Sequence, residues 1–467
     1  MKIKFCGAAR TVTGSKHLIT LASGKKILLD CGLYQGKESF HGSENEDFGF
    51  DPASIHYLIL SHAHIDHSGL IPRLVNQGFT GSIYCTAATK DLCSIMMVDS
   101  AHIQESDAFH YNKRRKREGR TPILPLYTII DAQKALTQFN SLSYNNWHKI
   151  DEEASLLFTF VGHITGSAAI NLQLAEGSRI HKLTFTGDIG RKTHQIIKGA
   201  ETFPQAEIII TESTYGDRLH EPADESLNRL LKIVIETCVT KRGKLIIPAF
   251  SVGRTQEIVY ALDQLETAGK LPPIKVYVDS PLSTNATEII KAHPECFNKE
   301  ILNYIKKDDN PFGFNKLIYV QDVEESKRLN TLDEPCIIIS ASGMAEAGRI
   351  VHHIANNIED KKNTILIVGY SEPSSLGGRL VEKNKEVKIF GKIYKVNARV
   401  EVIDSYSAHG DYQEMINYLK CQNPDLVSKI FLVHGKLEVM ENYREKLKSA
   451  GFSNIQIPEK FQEIEIA

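Results

Sequence analysis

The chain has 467 residues, of which 42% are hydrophobic and 24% are charged, and this composition excludes a long disordered chain. Lys and Arg total 55, Asp and Glu total 57, and the formal net charge is -2. This near balance argues against a histone-like protein that binds nucleic acid through its global charge, but it leaves room for a local basic groove. At about 100–200 residues per domain, the length predicts two to four domains.

Several features that the sequence lacks bear on the compartment. Its eight cysteines include no C-x-x-C pair, which argues against a thiolate zinc finger or a redox-active pair. The N-terminal segment MKIKFCGAARTVTGSKHLITL has no continuous apolar stretch of the signal-peptide kind. No apolar run approaches the ~18 residues that span a membrane. We therefore expect a soluble cytoplasmic protein without a membrane partner.

Short apolar runs rich in β-branched residues recur along the chain and predict β-strands. They lie at 56–61, 156–163, 182–188, 207–213, 244–250, 335–343, 363–370, 400–409 and 429–435. Segments of helical period, at 225–239 and 255–269, lie between some of them. Strands alternating with helices predict an α/β fold, and the continuous apolar character of several runs predicts sheets that are covered on both faces.

Many of these runs end on an ionisable residue or are closely followed by one. These residues are His62, His163, Asp188, Glu212, His409 and His434. Because ligand sites in α/β sheets gather at the carboxyl ends of strands, this distribution is typical of a functional site.

The strongest local signal is the sequence SHAHIDHSG at 61–69. In an extended backbone, His62 and His64 point to the same side and can hold one metal ion. Asp66 and His67 then face a second ion as the chain turns towards a helix. Imidazole nitrogens and carboxylate oxygens are good zinc ligands. A merely polar loop, or a single structural zinc site, explains four ligand-type residues within six positions less well.

The order of the motifs closely resembles the metallo-β-lactamase superfamily. Asp30 lies in LLDCG, the HAHIDH motif follows, His163 lies in GHITGSA, and Asp188 lies in FTGDIG. The resemblance implies an α/β fold, the αββα metallo-β-lactamase sandwich, and a hydrolase that uses two zinc ions.

Three later motifs resemble the β-CASP branch of that superfamily. They are Glu212 in TESTYGDR, His409 in SYSAHGDY and His434 in FLVHGK. This branch contains nucleases, among them the pre-mRNA 3′-end cleavage endonuclease and its short prokaryotic ribonuclease relatives. Members that act on RNA carry His at the last motif, whereas the DNA-repair members carry Val. The resemblance therefore implies a ribonuclease that acts on single-stranded RNA, and a homodimer is also compatible with it.

Carried over position by position, the resemblance implies a role for each ligand. One zinc ion would be bound by His62, His64, His163 and Asp188. The other would be bound by Asp66, His67, Asp188 and His434. Asp188 would bridge the two ions, as a carboxylate with two oxygens can. Asp30 would orient a ligand imidazole by accepting its other N–H.

The same resemblance implies the chemistry of cleavage. Two zinc ions, held in part by Asp66, would activate a water for attack on the backbone phosphorus. His409 would act as the general acid that protonates the leaving 3′ oxygen, and Glu212 would position it and support its protonated form. The products would carry a 5′ phosphate and a 3′ hydroxyl. Endonuclease and 5′ exonuclease activity both remain open.

The resemblance also implies a split domain organisation. Residues 1–215 would form the first part of the metallo-β-lactamase domain, 216–403 an inserted α/β β-CASP domain, and 404–467 the C-terminal return of the first domain. The chain ends soon after His434, so we expect a short form of the enzyme.

Two further segments are candidates for RNA contacts. Ser342, Gly343 and Met344 end a predicted strand and could offer backbone N–H groups to a phosphate, although an ordinary strand-to-helix turn explains them equally well. The basic run at 113–117 could contact distal phosphates, but a solvated charge run is the simpler interpretation.

Two other functions are alternatives, a small-molecule hydrolase on the same metal core and a non-catalytic scaffold. A thioester or lactone hydrolase would lack the β-CASP motifs, which this chain has. A non-catalytic scaffold of an RNA-processing complex would have lost ligands, and here every ligand position is filled.

Overall fold

The computed structural model describes residues 1–35, 44–220, 226–369, 371–403 and 407–466. Its contacts divide the chain into two compact units. The first unit comprises Met1–Lys192, Gly199–Leu219 and His409–Ala467, and the second comprises Thr193–Lys198 and His220–Ala408. These divisions lie near the domain boundaries that the sequence predicts at 215 and 403. Residues 404–406, which begin the predicted C-terminal return, are outside the described residues.

The first unit begins with two runs of strands separated by helices. Its strands are β1 (Lys2–Gly7), β2 (Lys16–Thr20), β3 (Lys26–Leu29), β4 (Tyr57–Ile59), β5 (Ser82–Cys85), β6 (Phe139–Ser141), β7 (His148–Lys149), β8 (Ala154–Phe160), β9 (Ala168–Glu176), β10 (Arg179–Phe185) and β11 (Ile208–Glu212). Its helices are α1 (Ile65–Ser68), α2 (Ile71–Asn76), α3 (Ala87–Arg117) and α4 (Ile129–Leu136).

The second unit alternates strands and helices. The strands are β12 (Leu245–Pro248), β13 (Lys275–Asp279), β14 (Leu317–Val320), β15 (Cys336–Ser340), β16 (Thr364–Val368), β17 (Glu386–Ile389), β18 (Lys392–Lys395) and β19 (Arg399–Ile403). The helices are α5 (Ser226–Val234), α6 (Arg254–Thr267), α7 (Pro281–Ala292), α8 (Lys299–Tyr304), α9 (Val323–Thr331), α10 (Arg349–Asn357) and α11 (Leu376–Val381).

The chain then returns to the first unit. The returning elements are α12 (Tyr412–Leu419), β20 (Lys429–Val433), α13 (Leu437–Ser449), β21 (Ile455–Gln456) and β22 (Glu463–Glu465). β20 pairs in parallel with β11, and β22 pairs antiparallel to β1. The last segment of the chain therefore supplies strands to both sheets of the first unit.

The first unit has the predicted sandwich of two sheets between helices. Within the described residues, one sheet has the order β22-β1-β2-β3-β4-β5-β6 and the other β21-β20-β11-β10-β9-β8-β7. Their inner faces share one apolar core, in which Phe5 and Leu29 of one sheet join Phe158 and Phe431 of the other. Apolar residues of α12 and α13 cover the outer face of the second sheet. This confirms the αββα architecture.

The second unit is an α/β layer structure around a parallel sheet. Its described strands have the order β14-β13-β15-β12-β16-β19, and every pairing in this sheet is parallel. All residues of β12, β15 and β16 are buried, as the continuous apolar runs predict for strands covered on both faces. A separate antiparallel hairpin is formed by β17 and β18.

Each predicted apolar run contains a strand, but most strands end before the run does. The run at 156–163 stops being a strand at Phe160, and Val161, Gly162 and His163 form the loop that follows. The segment at 225–239 forms α5 and then a π-helical turn, Ile235–Thr240, while residue 225 is outside the described residues. Among the described helices, none combines the length and apolar content needed to cross a membrane.

The loops at the strand ends of the first unit approach one another closely at Gly190. Its N–H donates to the Val161 carbonyl at 2.9 Å, and a Cβ at this position would lie 1.7 Å from the Gly162 carbonyl oxygen. Residue 190 also forms a β-bridge with His409. Two segments far apart in the sequence are thus held together where no side chain fits.

We expect Gly190→Ala to destabilise the first unit by about 1–3 kcal/mol, because the added methyl group must displace backbone. The matched control is Gly199→Ala, where a Cβ would make only an ordinary contact at 3.5 Å. Thermal unfolding followed by calorimetry should show a midpoint several degrees lower for Gly190→Ala, at about 2–4 °C per kcal/mol. Equal midpoints for the two variants would contradict this account.

Candidate metal centre

The centre is built around the turn between β4 and α1. β4 ends at Ile59, and the chain passes through His62 and His64 without regular structure before α1 begins at Ile65. The His62 Nε2 and His64 Nδ1 atoms lie 3.2 Å apart. α1 then carries Asp66 and His67. One short segment therefore presents four potential ligands in two different backbone conformations.

The first group of potential ligands combines this turn with two strand ends of the second sheet. The ligand atoms of His62, His64, His163 and Asp188 all lie within 4.8 Å of one another. The His163 Nε2 atom is 3.1 Å from His64 Nδ1. The Asp188 Oδ2 atom is 3.6 Å from His62 Nε2 and 3.5 Å from His163 Nε2. Three imidazoles and one carboxylate form the kind of site that zinc occupies.

A second group of potential ligands adjoins the first, and Asp188 lies between the two. The ligand atoms of Asp66, His67 and His434 also lie within 4.8 Å of one another. The Asp188 Oδ1 atom is 3.3 Å from His67 Nε2 and 3.7 Å from His434 Nδ1. The two oxygens of Asp188 thus face different groups. A third combination, Asp188, Glu212 and His434, meets the same distance limit.

Asp30 holds the turn from the side away from these groups. This residue has a left-handed backbone conformation, with φ of 58°, and its side chain is fully buried. Its carboxylate accepts hydrogen bonds from the Ser61 N–H at 2.8 Å and the Ser61 hydroxyl at 2.9 Å. The His67 Nδ1 atom lies 2.7 Å from Asp30 Oδ2. An Nδ1–H that donates to Asp30 leaves the His67 Nε2 lone pair directed at the second group.

Burial keeps three imidazoles of the first group neutral. It lowers the pKa of His64 to about 4, and it lowers the pKa of His62 and of His163 well below the usual value. Neighbouring imidazoles lower the pKa of His62 and His163 further. Because a metal ion binds only the neutral imidazole, these side chains are in the protonation state that a ligand needs.

The second group carries more negative charge. Burial disfavours a charged His67, yet the carboxylates of Asp188, Asp66 and Asp30 raise the pKa of this imidazole well above its usual value. Burial likewise opposes ionisation of Asp188, but the imidazoles of His434 and His67 hold the pKa of this carboxyl well below its usual range. A cation bound between these groups would replace the proton of His67.

Two buried atoms of the centre fit a metal ion. In the part of the chain that the structure describes, His67 Nε2 and Asp188 Oδ1 lie 3.3 Å apart and neither forms a hydrogen bond of normal geometry. Buried polar atoms are rarely left without one. Both atoms face the second group of potential ligands. The imidazole and carboxylate set is one that suits zinc.

A Glu–His pair lies at the edge of the centre. The His409 Nδ1 atom is 3.1 and 3.0 Å from the two Glu212 carboxylate oxygens, and its Nε2 is 3.9 Å from Asp188 Oδ2. Glu212 ends β11, is 1% exposed, and also accepts the Ile189 N–H at 2.5 Å. The His409 side chain is 21% exposed, so a ligand can reach it.

The environment of His409 favours its charged form. Burial opposes the charge, but the Glu212 carboxylate and, with less effect, Asp188 and Asp66 raise the pKa of His409 to about 9. This imidazole therefore differs from the three neutral ones of the first group, although its ring centroid lies only 4.5 Å from that of His163.

Two residues of the centre were not predicted from the sequence. The Thr214 hydroxyl lies 3.0 Å from His434 Nδ1 and donates to the His434 carbonyl at 3.1 Å. Ser61 links Asp30 to the backbone of the turn and lies 3.0 Å from His62 Nδ1. Both belong to motifs that the sequence singles out, TESTYGDR and SHAHIDH, so their position beside ligands was the available signal.

The segment that includes Ser342, Gly343 and Met344 belongs to the second unit and follows β15. The Ser342 N–H donates to the Ala347 carbonyl at 3.2 Å, and the Ala345 N–H donates to the Ser342 carbonyl at 3.1 Å. The Ser342 amide is therefore engaged within its own turn. Phosphate binding here stays a prediction, and it depends on the Gly343 and Met344 amides.

Comparison with protein-family models gives three adjoining matches. The metallo-beta-lactamase superfamily model matches residues 14–240, the Beta-Casp domain model 255–380, and the model described as a Zn-dependent metallo-hydrolase RNA specificity domain 393–458. The first and third of these models contain the residues of the candidate centre.

Known proteins of similar sequence cover nearly the whole chain. Ribonuclease TTHA0252 of Thermus thermophilus is 33% identical over 439 residues, which is 94% of this chain and 94% of the relative. An RNase J-like protein of Methanocaldococcus jannaschii is 31% identical and covers 93% of this chain and 92% of its own length. Transcription termination factor FttA of the same organism is 32% identical over 93% of this chain but only 67% of its own length.

The shared position of Asp188 generates a prediction about metal content. Because its two oxygens face both groups, Asp188→Asn should sharply lower the zinc that copurifies with the protein, as measured by elemental analysis. Glu212→Gln is the matched control, since Glu212 meets the same distance limit but is hydrogen-bonded to His409 and Ile189. We expect Glu212→Gln to retain wild-type zinc. Equal loss in both variants would make Glu212 a ligand, and no loss in either would refute this centre.

Proposed function

The chain belongs to the β-CASP branch of the metallo-β-lactamase superfamily of metal-dependent hydrolases, and we propose that it hydrolyses phosphodiester bonds of single-stranded RNA. The observation that carries the proposal is the position of Asp188, whose two oxygens face two groups of potential ligands, with the Glu212–His409 pair beside them. Two relatives that match over almost their full length are named as a ribonuclease and an RNase J-like protein. The family model that covers His409 and His434 is described as an RNA specificity domain.

We assign the residues of the centre to two zinc ions. His62, His64, His163 and Asp188 would hold one ion. Asp66, His67, Asp188 and His434 would hold the other. When bound, the pair would supply a water activated near neutral pH and would withdraw charge from the phosphoryl oxygens. Asp30 would keep His67 in the tautomer that offers Nε2.

His409 would protonate the leaving 3′ oxygen. Its Nδ1–H donates to Glu212, which leaves the Nε2–H on the side of Asp188 and the ligand groups. Among the described residues, His409 is the ionisable side chain that lies within hydrogen-bond distance of the buried Glu212 carboxylate. The negative charge of Glu212 therefore favours the imidazolium form of His409. A proton held at Nε2 is in place for delivery to an oxygen that leaves a phosphorus bound at the centre. The products would carry a 5′ phosphate and a 3′ hydroxyl.

Preference for RNA over DNA can be tested with matched single strands. In the β-CASP branch, His at the last motif marks the members that cleave RNA, and this chain has His434 at that position. We expect a 5′-labelled and an internally labelled RNA to be cleaved faster than DNA of the same sequence, at one salt concentration because phosphate contacts make binding salt-dependent. Loss of cleavage with a chelator is the control. Equal or faster cleavage of DNA would overturn the RNA assignment.

The role of His409 can be separated from metal binding by a second substrate. His409→Ala should retain about two zinc ions per chain and should lose about 10²–10⁴-fold in the rate of RNA cleavage, the usual effect of removing a general acid. The deficit should shrink on a p-nitrophenyl phosphodiester, whose leaving phenolate needs no proton. The matched variant is Asp66→Asn, which removes a proposed ligand and should abolish cleavage of both substrates.

Two results would contradict this role. Loss of zinc from His409→Ala would make His409 a ligand or a support of one. An equal deficit on RNA and on the activated diester, with zinc retained, would exclude proton donation.

A further inference from the structure

The C-terminal end of α3 carries a dense cluster of positive charge. From 113 to 120 the sequence KRRKREGR has six basic residues and one acidic residue, in a chain whose net charge is -2. The segment from 109 to 117 contains no acidic residue. Such a concentration stands out against the nearly neutral whole and calls for a physical account.

The helical phase sorts these side chains into two sets. Ala101, Gln104 and Ala108 are buried and define the inner side of α3. At 100° per residue, Asn112 and Arg115 continue that inner side. There, Arg115 Nε donates to the Thr121 carbonyl at 2.6 Å, and Asn112 bonds to the backbone of Ile123. These two residues hold the following loop and are not part of an open surface.

The opposite side of the helix is open and basic. Phe109, Lys113, Lys116 and Arg117 project from it together, and Arg114 lies at its margin. All five are exposed, with Phe109 at 59%. Residues three or four apart on a helix lie about 5–6 Å from each other, so the cations form a continuous row. We call these five residues the basic tip.

An aromatic ring stands in this row of cations. The Lys113 ammonium lies over the Phe109 ring at 4.4 Å from its centroid. Glu118 offsets part of the charge of Arg114, at 2.9 Å. A positive groove or ridge with an exposed aromatic ring is the combination by which proteins hold a single-stranded nucleic acid, through phosphate contacts and base stacking.

The other end of α3 contacts the loop that carries His163, a residue of the candidate metal centre. Thr86, which caps the helix, and Thr89 in its first turn both donate to the Gly166 carbonyl, at 2.7 and 2.8 Å. Gly166 lies in the same loop as His163. From Thr86 to Lys113 the helix spans about 40 Å, at 1.5 Å per residue. The proposed cleavage site therefore lies near the N-terminal end of α3, and the basic tip lies at its C-terminal end.

We propose that the basic tip is a remote binding surface for the single-stranded RNA substrate. This rests on the proposed function and adds to it a second contact, about 40 Å along α3 from the metal centre. At about 3.4 Å per stacked nucleotide the strand must extend on the order of ten nucleotides from the scissile bond to reach the tip. The basic tip should therefore increase the affinity only for RNA that is long enough to reach it.

A second copy of the chain fits this surface less well. An isologous contact would bring one basic tip against another, and like charges that meet in an interface are unfavourable. RNA supplies the opposite charge at every phosphate, together with bases that stack on Phe109. Charge complementarity therefore favours the nucleic acid.

The test compares two lengths of RNA in one pair of variants. Lys113→Gln with Lys116→Gln removes two cations from the tip, and Lys361→Gln with Lys362→Gln is the matched control, since both of these lysines are exposed in the second unit. Steady-state cleavage is measured on single-stranded RNAs of about 30 and about 6 nucleotides, lengths that do and do not reach the tip.

We expect the tip variant to raise KM for the long RNA about threefold to tenfold, with kcat unchanged and the short RNA unaffected. The slope of log KM against log salt should fall by about 1.4, since each lost phosphate contact contributes about 0.7 on single strands. Phe109→Ala should raise KM for the long RNA about fivefold or more, through lost stacking. The control variant should match the wild type on both RNAs.

Three results would overturn the inference. They are equal kinetics of tip variant and wild type on the long RNA, an equal loss on both lengths, and a loss of binding to vesicles with anionic lipid without any change towards RNA. If the wild type cleaves neither RNA, the proposed function fails separately. In that case, fluorescence anisotropy measures the affinity of the wild type and the tip variant for the uncleaved long RNA. A weaker affinity of the tip variant supports the binding surface, and equal affinities refute it.

Discussion

The centre depends on one buried carboxylate, that of Asp188. An ionised carboxylate that is taken out of water without partners costs several kcal/mol, and Asp188 is 2% exposed. The imidazoles of His434 and His67 near one oxygen stabilise its charge, and the neutral imidazoles of His62 and His163 lie near the other oxygen. Every element that carries one of these imidazoles must therefore end at the same edge of the sandwich.

The strand register brings those ends together. Phe185 of β10 is paired with Ile210 of β11, which in turn is paired with Phe431 of β20, and both pairings are parallel. Asp188, Glu212 and His434 follow these three residues by only two or three positions, so they emerge side by side. A slip of one residue in β20 would reverse the alternation of its side chains between the two faces. The apolar core that fixes the register thus also fixes the distances at the centre.

The sequence predicted which potential ligands the structure brings together, and it predicted a supporting role for Asp30, but it did not predict the contacts made by Ser61 and Thr214. The motif HAHIDH predicted a turn into a helix, and α1 begins within this motif. This prediction was possible because the spacing of residues close in sequence decides which of their side chains can converge. The hydrogen bonds of Asp30 to Ser61 and His67 join residues 31 and 37 positions apart. Such bonds follow from sheet order, which no local pattern contains. The same holds for Thr214 and His434, which are 220 positions apart.

Helical phase explains a further difference between sequence and structure. The run at 113–117 was predicted as solvated charge, and most of it is exposed at the end of α3. The apolar residues of this helix do not keep to one stripe, so its length and its inner side were not evident from periodicity. Only the buried positions of the folded helix show that Arg115 turns inwards to bind the Thr121 carbonyl while its neighbours face solvent. Basic residues that are adjacent in the sequence therefore point to different sides of the helix.

The histidines of the centre have different pKa values because the carboxylates are distributed unevenly among them. For His62, His64 and His163 the effect of burial exceeds that of the nearby carboxylates, so their pKa values fall. His409 is hydrogen-bonded to the buried Glu212 carboxylate, which raises the pKa of this imidazole to about 9 against the effect of burial. Titratable groups whose environments drive their pKa values apart mark the different roles in a site. Neutral imidazoles can bind a metal ion and a charged imidazole can donate a proton, so histidine suits both of the proposed roles.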